Sequence, residues 1–420
     1  MSVNSIRNLV EVANVLTPNK VALVHQGQSM TYKEVYEKTN QIALFLNTLG
    51  LQKGSRIGLY SAKTIQKVIS IFAVLSTEFV LVPITKQLKA EQLKYISKDC
   101  DISCMITDSK KIKTLRESGF DGIIITIESI EKELVSFEEI YKCYSKDYKC
   151  SIKGHDNAVI TYSFVSTGMP KGVVISHKNL IDGARVVNKY LGITSDDVLS
   201  GLLSFSFDYG LNQIFGSFYA RATFAIYDFF TPSDFFGHLT KDKITILAAM
   251  PVHFGLMFDE DPHKLPNPSQ LDKIRIITSS GANVNDSMLA KIEKYFQKAL
   301  FYSMNGHTEA FRSAYLEPSQ LKIRPHSIGK AIPDVDLYVV NSAGCECKPR
   351  EVGELIHRGA GVYRGFWNSK EDTDRSFKSI QILKNILNLE NGLIDEIVVA
   401  TGDYVYIDEE GYIYFVGRHD

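Results

Sequence analysis

Thr161-Tyr-Ser-Phe-Val-Ser-Thr-Gly-Met-Pro-Lys-Gly-Val-Val174 is the stretch on which the reading of this chain turns. A strand, Asn157 to Tyr162, runs into a loop with two hydroxyls, Ser166 and Thr167, then Gly168, then the cation Lys171. Gly168 and Gly172 permit close backbone approach. Backbone amides, hydroxyls and an ammonium together suit a polyphosphate. The Gly-x-x-x-x-Gly-Lys-Ser/Thr spacing of a Walker loop is absent. An ordinary turn at Pro170 is the alternative.

Around this stretch, helical and strand signals alternate. Thr31-Tyr-Lys-Glu34 has the form of a capping box, and the amphipathic run after it stops at Gly50. Ile57 to Tyr60 and Cys104 to Thr107 read as strands, and Ala90 to Lys98 as a helix. Val68 to Ile84 reads as a helix to about Leu75, then a buried strand from Phe79 to Pro83. Downstream come a helix from about Asn179 to Tyr190 and two apolar runs, Ile244 to Ala249 and Ile274 to Thr278, typical of buried parallel strands. The expectation is an α/β fold of helix-covered mixed sheets. Residues 1–155 form a first α/β subdomain and 156–325 a second, carrying the phosphate loop. Residues 326–416, with short strands and frequent turns, form a small β-rich, barrel-like subdomain. Lys142 to Lys153 reads as a surface connection.

Composition narrows the class. The chain has 420 residues, 47 Lys plus Arg against 48 Asp plus Glu, and a net charge of −1. Such balance gives no bulk attraction to nucleic acid or to an anionic membrane. With 45% hydrophobic and 23% charged residues, global disorder is excluded. The cysteines lack paired zinc-ribbon spacing, and Cys345 and Cys347 sit in a turn. Met1 to Asn8 lacks the basic start and apolar core of a signal peptide. Val68 to Ile84 falls short of the ~20 apolar residues that span a bilayer. A cytoplasmic protein with no nucleic-acid partner and no membrane span is expected.

Two further signals follow. In Asn305-Gly-His-Thr-Glu309, Glu309 is a candidate Mg²⁺ ligand beside phosphate oxygens. His307 is a candidate donor, and a capped helix start is the alternative. Ala400-Thr-Gly-Asp403 and Gly417-Arg-His-Asp420 supply an acceptor for a ribose diol and a donor, Arg418.

In this order the motifs resemble the adenylate-forming (AMP-binding) superfamily, which includes acyl-CoA synthetases, luciferases and the adenylation domains of peptide synthetases. Tyr162 to Gly172 is in register with that family's phosphate loop. Asn305 to Glu309 matches its Tyr-Gly-x-Thr-Glu, Thr401 to Asp403 its Thr-Gly-Asp, and Gly417 to Asp420 its hinge. The resemblance covers nearly the whole chain and implies the large N-terminal domain of that fold. It implies that Ser163, Ser166, Thr167, Gly168, Lys171 and Gly172 hold the β- and γ-phosphates of ATP. Thr308 would touch the α-phosphate and Glu309 would hold Mg²⁺, so Lys171, Thr308 and Glu309 form the catalytic set. Gly281, Ala282, Asn305, Gly306 and His307 would frame the nucleotide, while Asp403 and Arg418 take the ribose.

The implied reaction is ATP-dependent activation of a carboxylic acid as acyl-adenylate, with pyrophosphate leaving. Transfer to a thiol of CoA or of a carrier protein's phosphopantetheine would follow. The acyl pocket would be lined by Phe207, Asp208, Tyr209, Met250, Pro251, His253, Ser279 and Met304. In amino-acid-activating members, an Asp directly after this Phe pairs with the substrate ammonium. An amino-acid ligase loading a carrier protein is therefore an alternative, with Asp208 as helix cap the competing explanation. The segments Phe205 to Gln213 and Thr308 to Leu316 also look like acyl-CoA ligase-type members found beside bacterial exopolysaccharide and protein-sorting systems.

Three departures from the family pattern stand out. Phe164 and Val165 occupy positions where the loop usually has Ser and Gly, and a β-branched Val disfavours φ > 0. Asn305 replaces the aromatic that stacks on adenine, leaving a hydrogen bond to the base as the alternative. The chain stops at Asp420, inside the hinge motif, so the small C-terminal domain is absent and truncation is expected. These departures also permit a non-catalytic nucleotide-binding homologue. Retention of Lys171, Thr308, Glu309 and Asp403 argues against it.

Overall fold

The computed structural model describes residues 3–163, 169–259, 265–282, 284–387, 389 and 395–418. The chain divides into two compact units: Met1–Asn188 with Ile193–Asp228, and Lys189–Gly192 with Phe229–Asp420. Strand pairing crosses both expected boundaries, 155 and 325: Leu81 pairs with Val159, and Ala314 pairs with Ala331.

The first unit holds strands β1 (Val21–His25), β2 (Gln28–Thr31), β3 (Arg56–Tyr60), β4 (Val80–Ile84), β5 (Ile102–Thr107), β6 (Ile123–Thr126), β7 (Val135–Ser136), β8 (Asn157–Ser163), β9 (Lys171–Ser176), β10 (Val198–Gly201) and β11 (Thr223–Ile226). Its helices are α1 (Ile6–Leu16), α2 (Tyr32–Asn47), α3 (Ile65–Leu75), α4 (Ala90–Asp99), α5 (Ile112–Glu117), α6 (Phe137–Cys143), α7 (His177–Leu191) and α8 (Asp208–Ala220). A seven-stranded sheet runs β7-β6-β5-β3-β4-β8-β9. Because β8 bonds to β4, the phosphate-loop hairpin β8–β9 belongs with the residues before 155. Strands β10, β11 and β1 run parallel, with β2 antiparallel at their edge.

Local chemistry explains these elements. Thr31 Oγ1 accepts Glu34 N–H at 3.3 Å and Glu34 Oε2 accepts Thr31 N–H at 2.7 Å, the reciprocal cap read from the sequence. Every residue of β4 is buried, as in a parallel sheet covered on both faces. The connection at 142–153 runs over the surface as expected, with one buried anchor, Tyr148. Helix α6 runs into it as far as Cys143, and buried Tyr148 accepts a bond from Asn47 Nδ2 at 2.6 Å while its ring faces the Arg7 guanidinium. Lys63 Nζ donates to the carbonyls of Gly201, at 3.1 Å, of Leu202, and of Tyr227, at 2.9 Å, tying the segments after β10 and β11 to the start of α3.

The second unit holds β12 (Ile246–Ala249), β13 (Ile276–Ser279), β14 (Leu300–Asn305), β15 (Ala314–Leu316), β16 (Ser327–Ala331), β17 (Val335–Val340), β18 (Gly353–Gly359), β19 (Phe377–Ser379), β20 (Ile397–Ile407) and β21 (Ile413–Arg418). Its helices are α9 (Pro232–Lys241), α10 (Pro251–Met257), α11 (Asp286–Tyr295), α12 (Lys370–Ser376) and α13 (Lys384–Leu387). Strands β12, β13 and β14 are parallel. The order then continues β15-β16-β21-β20-β18-β17, all antiparallel. The β-rich segment after 325 is thus hydrogen-bonded, through β16, to the strands before it. Ile328, Val339, Leu355, Val405 and Ile413 form its core. Among the described residues, no helix is long and apolar enough to cross a membrane.

Candidate active site

In the second unit the site is built around the turn after β14. His307 N–H bonds to Ala310 O at 2.9 Å, and Ser313 N–H to Asn305 O at 3.0 Å, so residues 305–313 fold back on themselves rather than start a helix. Gly306 is required there. A Cβ at that position would lie 2.2 Å from Phe311 O and 3.1 Å from Arg312 Nη1. Arg312 itself is buried beneath the turn.

Strands β20 and β21 bring the next group. Asp403 is buried and faces Arg418 in the strand register, with Arg418 Nε 3.3 Å from Asp403 Oδ1. Asp403 N–H donates to Thr401 Oγ1 at 3.2 Å, and Thr401 Oγ1 donates to Leu355 O at 2.8 Å. Gly402 takes φ +71°, a left-handed conformation that favours glycine. His307 Nδ1 lies 3.6 Å from Asp403 Oδ2. Burial first, then His357 and Arg418, push the imidazole down to about 3, so this contact joins a carboxylate to a neutral ring and is no ion pair.

Beneath it sits a second buried imidazole. His357 Nε2 donates to Ala360 O at 2.8 Å, which leaves Nδ1 to accept the Ser313 hydroxyl at 2.9 Å. Burial holds His357 near 4. Glu309 accepts Ser376 Oγ–H at 3.2 Å on Oε1. Burial raises its carboxyl, while Arg418 pulls it down and Asp403 pushes it up. His307, Glu309, Asp403 and Arg418 therefore share one electrostatic neighbourhood, with Thr308 exposed between two of them. Gly281 and Ala282 follow β13 and are exposed; the Met250 methyl lies 3.2 Å from where a Gly281 Cβ would sit.

The phosphate-loop hairpin belongs to the first unit. Ser163 and Lys171 are register partners on β8 and β9, and Gly172 faces Tyr162. Helix α4 braces both ends of the loop. Tyr162 Oη donates to Asp99 Oδ2 at 2.5 Å, and Tyr95 Oη to Pro170 O at 3.3 Å. Phe164, Val165, Ser166, Thr167 and Gly168, like Asp420, lie outside the described residues.

The expected pocket positions divide between the units. In the first, Phe207 is exposed and precedes α8, Asp208 is its first residue, and Tyr209 is buried. The helix cap is Phe207 and carries no side-chain cap bond, so Asp208 does not act as the N-cap. In the second, Met250 precedes α10, whose first residue is Pro251, and His253 Nδ1 accepts Met250 N–H at 3.0 Å. That bond is the bland role for His253, a brace for its own helix start. Ser279 ends β13 buried, and Met304 Sδ accepts Tyr190 Oη–H at 2.9 Å. Sequence reasoning missed Ser376, Ser313, His357, Arg312, Tyr95 and Asp99. Arg312 and Ser313 lie in the Thr308 to Leu316 segment without a role assigned there, and Ser376, Ser313, His357, Tyr95 and Asp99 meet their partners through tertiary packing.

A family model described as AMP-binding enzyme matches residues 10–367. The chain belongs to the AMP-binding enzyme family. Among curated relatives, bacitracin synthase 1 of Bacillus licheniformis is 29% identical over 409 residues, which is 96% of this chain and 7% of that protein. Tyrocidine synthase 1 of Brevibacillus parabrevis is 26% identical over 423 residues, 99% of this chain and 36% of that protein. This AMP-binding chain thus spans well under half of either relative. The crystal structure of VinN superposes with a TM-score of 0.85 at 22% identity, covering 98% of both chains. A complex of VinN with L-aspartate gives 0.84 at 23%, again covering 98% of both. The fold is that of the large N-terminal domain of the adenylate-forming, AMP-binding enzymes.

Proposed function

We propose that the chain activates a carboxylic acid with ATP and passes the acyl group to a thiol of CoA or a carrier protein. One observation carries this reading: buried Asp403, held by Arg418 at 3.3 Å, shares its surroundings with Glu309 on the turn after β14. That arrangement supports a ribose acceptor beside a metal-binding carboxylate. A carboxylate oxygen of the acid attacks the α-phosphorus, the bond from that phosphorus to the bridging oxygen breaks, and pyrophosphate leaves. The thiol sulfur then attacks the acyl carbonyl, gives up its proton, and AMP departs. Catalysis rests on positioning and charge stabilisation around an in-line displacement.

Each residue has a task in this reading. Ser163, Ser166, Thr167 and Lys171 hold the β- and γ-phosphates, Thr308 the α-phosphate, and Asp403 the ribose hydroxyls. Mg²⁺ needs only one or two protein carboxylates beside phosphate oxygens, and Glu309 fits as that carboxylate. Glu309 would hold the cation, which would supply charge neutralisation to the phosphates. Ser376 and the backbone of the turn orient the Glu309 carboxylate meanwhile.

A second reading makes the acid an amino acid loaded on a carrier protein. Asp208, in the first turn of α8 directly after Phe207, is the carboxylate that this reading pairs with the substrate ammonium. The peptide-synthetase relatives and the L-aspartate complex of VinN support it. Calorimetric titration of ATP·Mg²⁺, repeated with amino, fatty and aryl acids, separates the readings. Tightening by amino acids alone selects the second, and tightening by other acids selects the first. A folded chain that binds neither ATP nor AMP leaves a non-catalytic homologue.

A further inference from the structure

We infer that Tyr95 and Asp99 of helix α4 are positioning residues for the triphosphate, holding the neck of the β8–β9 hairpin so that Ser163 and Lys171 meet the β- and γ-phosphates. The inference rests on the adenylation reading above. Tyr162 Oη donates to Asp99 Oδ2 at 2.5 Å, and Tyr95 Oη donates to Pro170 O at 3.3 Å. Tyr162 immediately precedes Ser163, and Pro170 immediately precedes Lys171. Each bond therefore fixes the residue next to a phosphate-binding candidate, one on each side of the neck. Ser163 and Lys171 are themselves register partners, and Ser163 Oγ donates to Lys171 O at 3.4 Å across the hairpin.

Both braces come from one side of one helix. Tyr95 and Asp99 are four residues apart on α4, so their side chains lie on the same face, one turn from each other. Buried Leu93 and Ile96 anchor that helix in the core. Strand β8 is anchored separately, by its parallel pairing with β4 at Leu81 and Val159. The hairpin neck thus stands between two fixed elements. A hydroxyl bonded to a carboxylate makes a stronger tie than one bonded to a neutral carbonyl, so Asp99 is the firmer of the two braces. Donors held in place before the ligand arrives spare the ordering cost of binding. AMP lacks the two phosphates that Ser163 and Lys171 hold, so the braces act on ATP alone.

The test is equilibrium titration of the full chain with ATP·Mg²⁺ and with AMP, repeated on Tyr95→Phe, Asp99→Leu and Asp99→Asn. Tyr95→Phe is expected to weaken ATP roughly two- to tenfold, the range of a neutral hydrogen bond. Asp99→Leu should weaken it roughly tenfold or more, the range of a bond to a charged group. Asp99→Asn keeps an acceptor for the Tyr162 hydroxyl and should recover part of that loss. AMP affinity should stay unchanged in all three. Equal losses of ATP and AMP affinity would make α4 a structural support only and overturn the inference. So would unchanged ATP affinity in both Tyr95→Phe and Asp99→Leu. If Lys171→Ala loses ATP selectively while those two variants do not, the inference falls and the adenylation reading stands. An unmodified chain that binds no ATP overturns both. Tyr95→Phe removes one oxygen from a half-buried ring, so it decides even where an Asp99 variant does not fold.

Discussion

Arg418 Nε lies 3.3 Å from Asp403 Oδ1, across the antiparallel register that pairs these residues on β21 and β20. The Arg418 side chain is 56% exposed and Asp403 only 10%. Such a pair is screened by water and contributes little to stability. Its consequence is geometric, because it fixes which way a buried carboxylate faces.

Asp403→Ala is expected to weaken ATP and AMP binding alike by roughly ten- to a hundredfold, the loss of hydrogen bonds to a charged group. Arg418→Ala should cost less, because the guanidinium is half in water. Lys171→Ala should weaken ATP while sparing AMP, which has no β- or γ-phosphate. Titration calorimetry on the three variants checks the pattern, and unchanged affinities in Asp403→Ala and Lys171→Ala together would remove the nucleotide-site assignment.

Gly306→Ala is expected to destabilise the chain and abolish nucleotide binding, since its Cβ would stand 2.2 Å from the Phe311 carbonyl oxygen. The control is Gly237→Ala in α9, where a Cβ meets nothing within 4 Å. That change should stabilise by roughly 0.5–1 kcal/mol, the helix cost of glycine relative to alanine. Urea unfolding of both variants gives the comparison. A neutral Gly306→Ala would show that the turn has room to adjust.

Three buried histidines predict acid sensitivity. Burial lowers His177 to about 4, His307 to about 3 and His357 to about 4, from an ordinary value of 6.5. Between those values and 6.5 the unfolded chain binds more protons than the folded one. Stability therefore rises with pH through this window and is lost as pH falls through it. Each pH unit of difference is worth about 1.4 kcal/mol per group. Thermal unfolding from pH 7 to pH 4 should show a steep decline, and a flat profile would contradict these neutral imidazoles.

Lys67 predicts the same sign on the alkaline side. Its side chain is 3% exposed, its ammonium donates to Ser61 O at 2.8 Å, and burial followed by Lys63 lowers it to about 7. Between about 7 and the ordinary 10.5 the unfolded chain again binds more protons. Lys67→Met keeps most of the volume and removes the buried charge, so it should stabilise at neutral pH by about 1–4 kcal/mol. The gain should shrink as pH approaches 10.5, and chemical denaturation at pH 7 and pH 10 measures it.

Local chemistry explains why much of the fold was legible. The capping box at Thr31, the buried run at Val80 to Ile84 and the hairpin around the phosphate loop each depend on neighbours in sequence. The pairing of β8 with β4 was not legible, because it joins residues far apart in sequence. The start of α8 was legible only to within a residue, with Phe207 at the cap position and Asp208 in the first turn, because helix ends are set by backbone geometry.

The order of the motifs and their residue types determined, from sequence alone, the family and the identities of Lys171, Glu309, Asp403 and Arg418 as candidates. Tertiary structure alone decided that His307 stands beside Asp403, that Ser376 holds Glu309, that Ser313 bonds His357, and that Tyr95 and Asp99 brace the phosphate loop. The physical reason is that hydrophobic periodicity and turn chemistry act over a few residues. The partners of Glu309, Ser313 and His307 lie 44 to 96 positions away, and only sheet register and packing bring such residues within hydrogen-bonding reach.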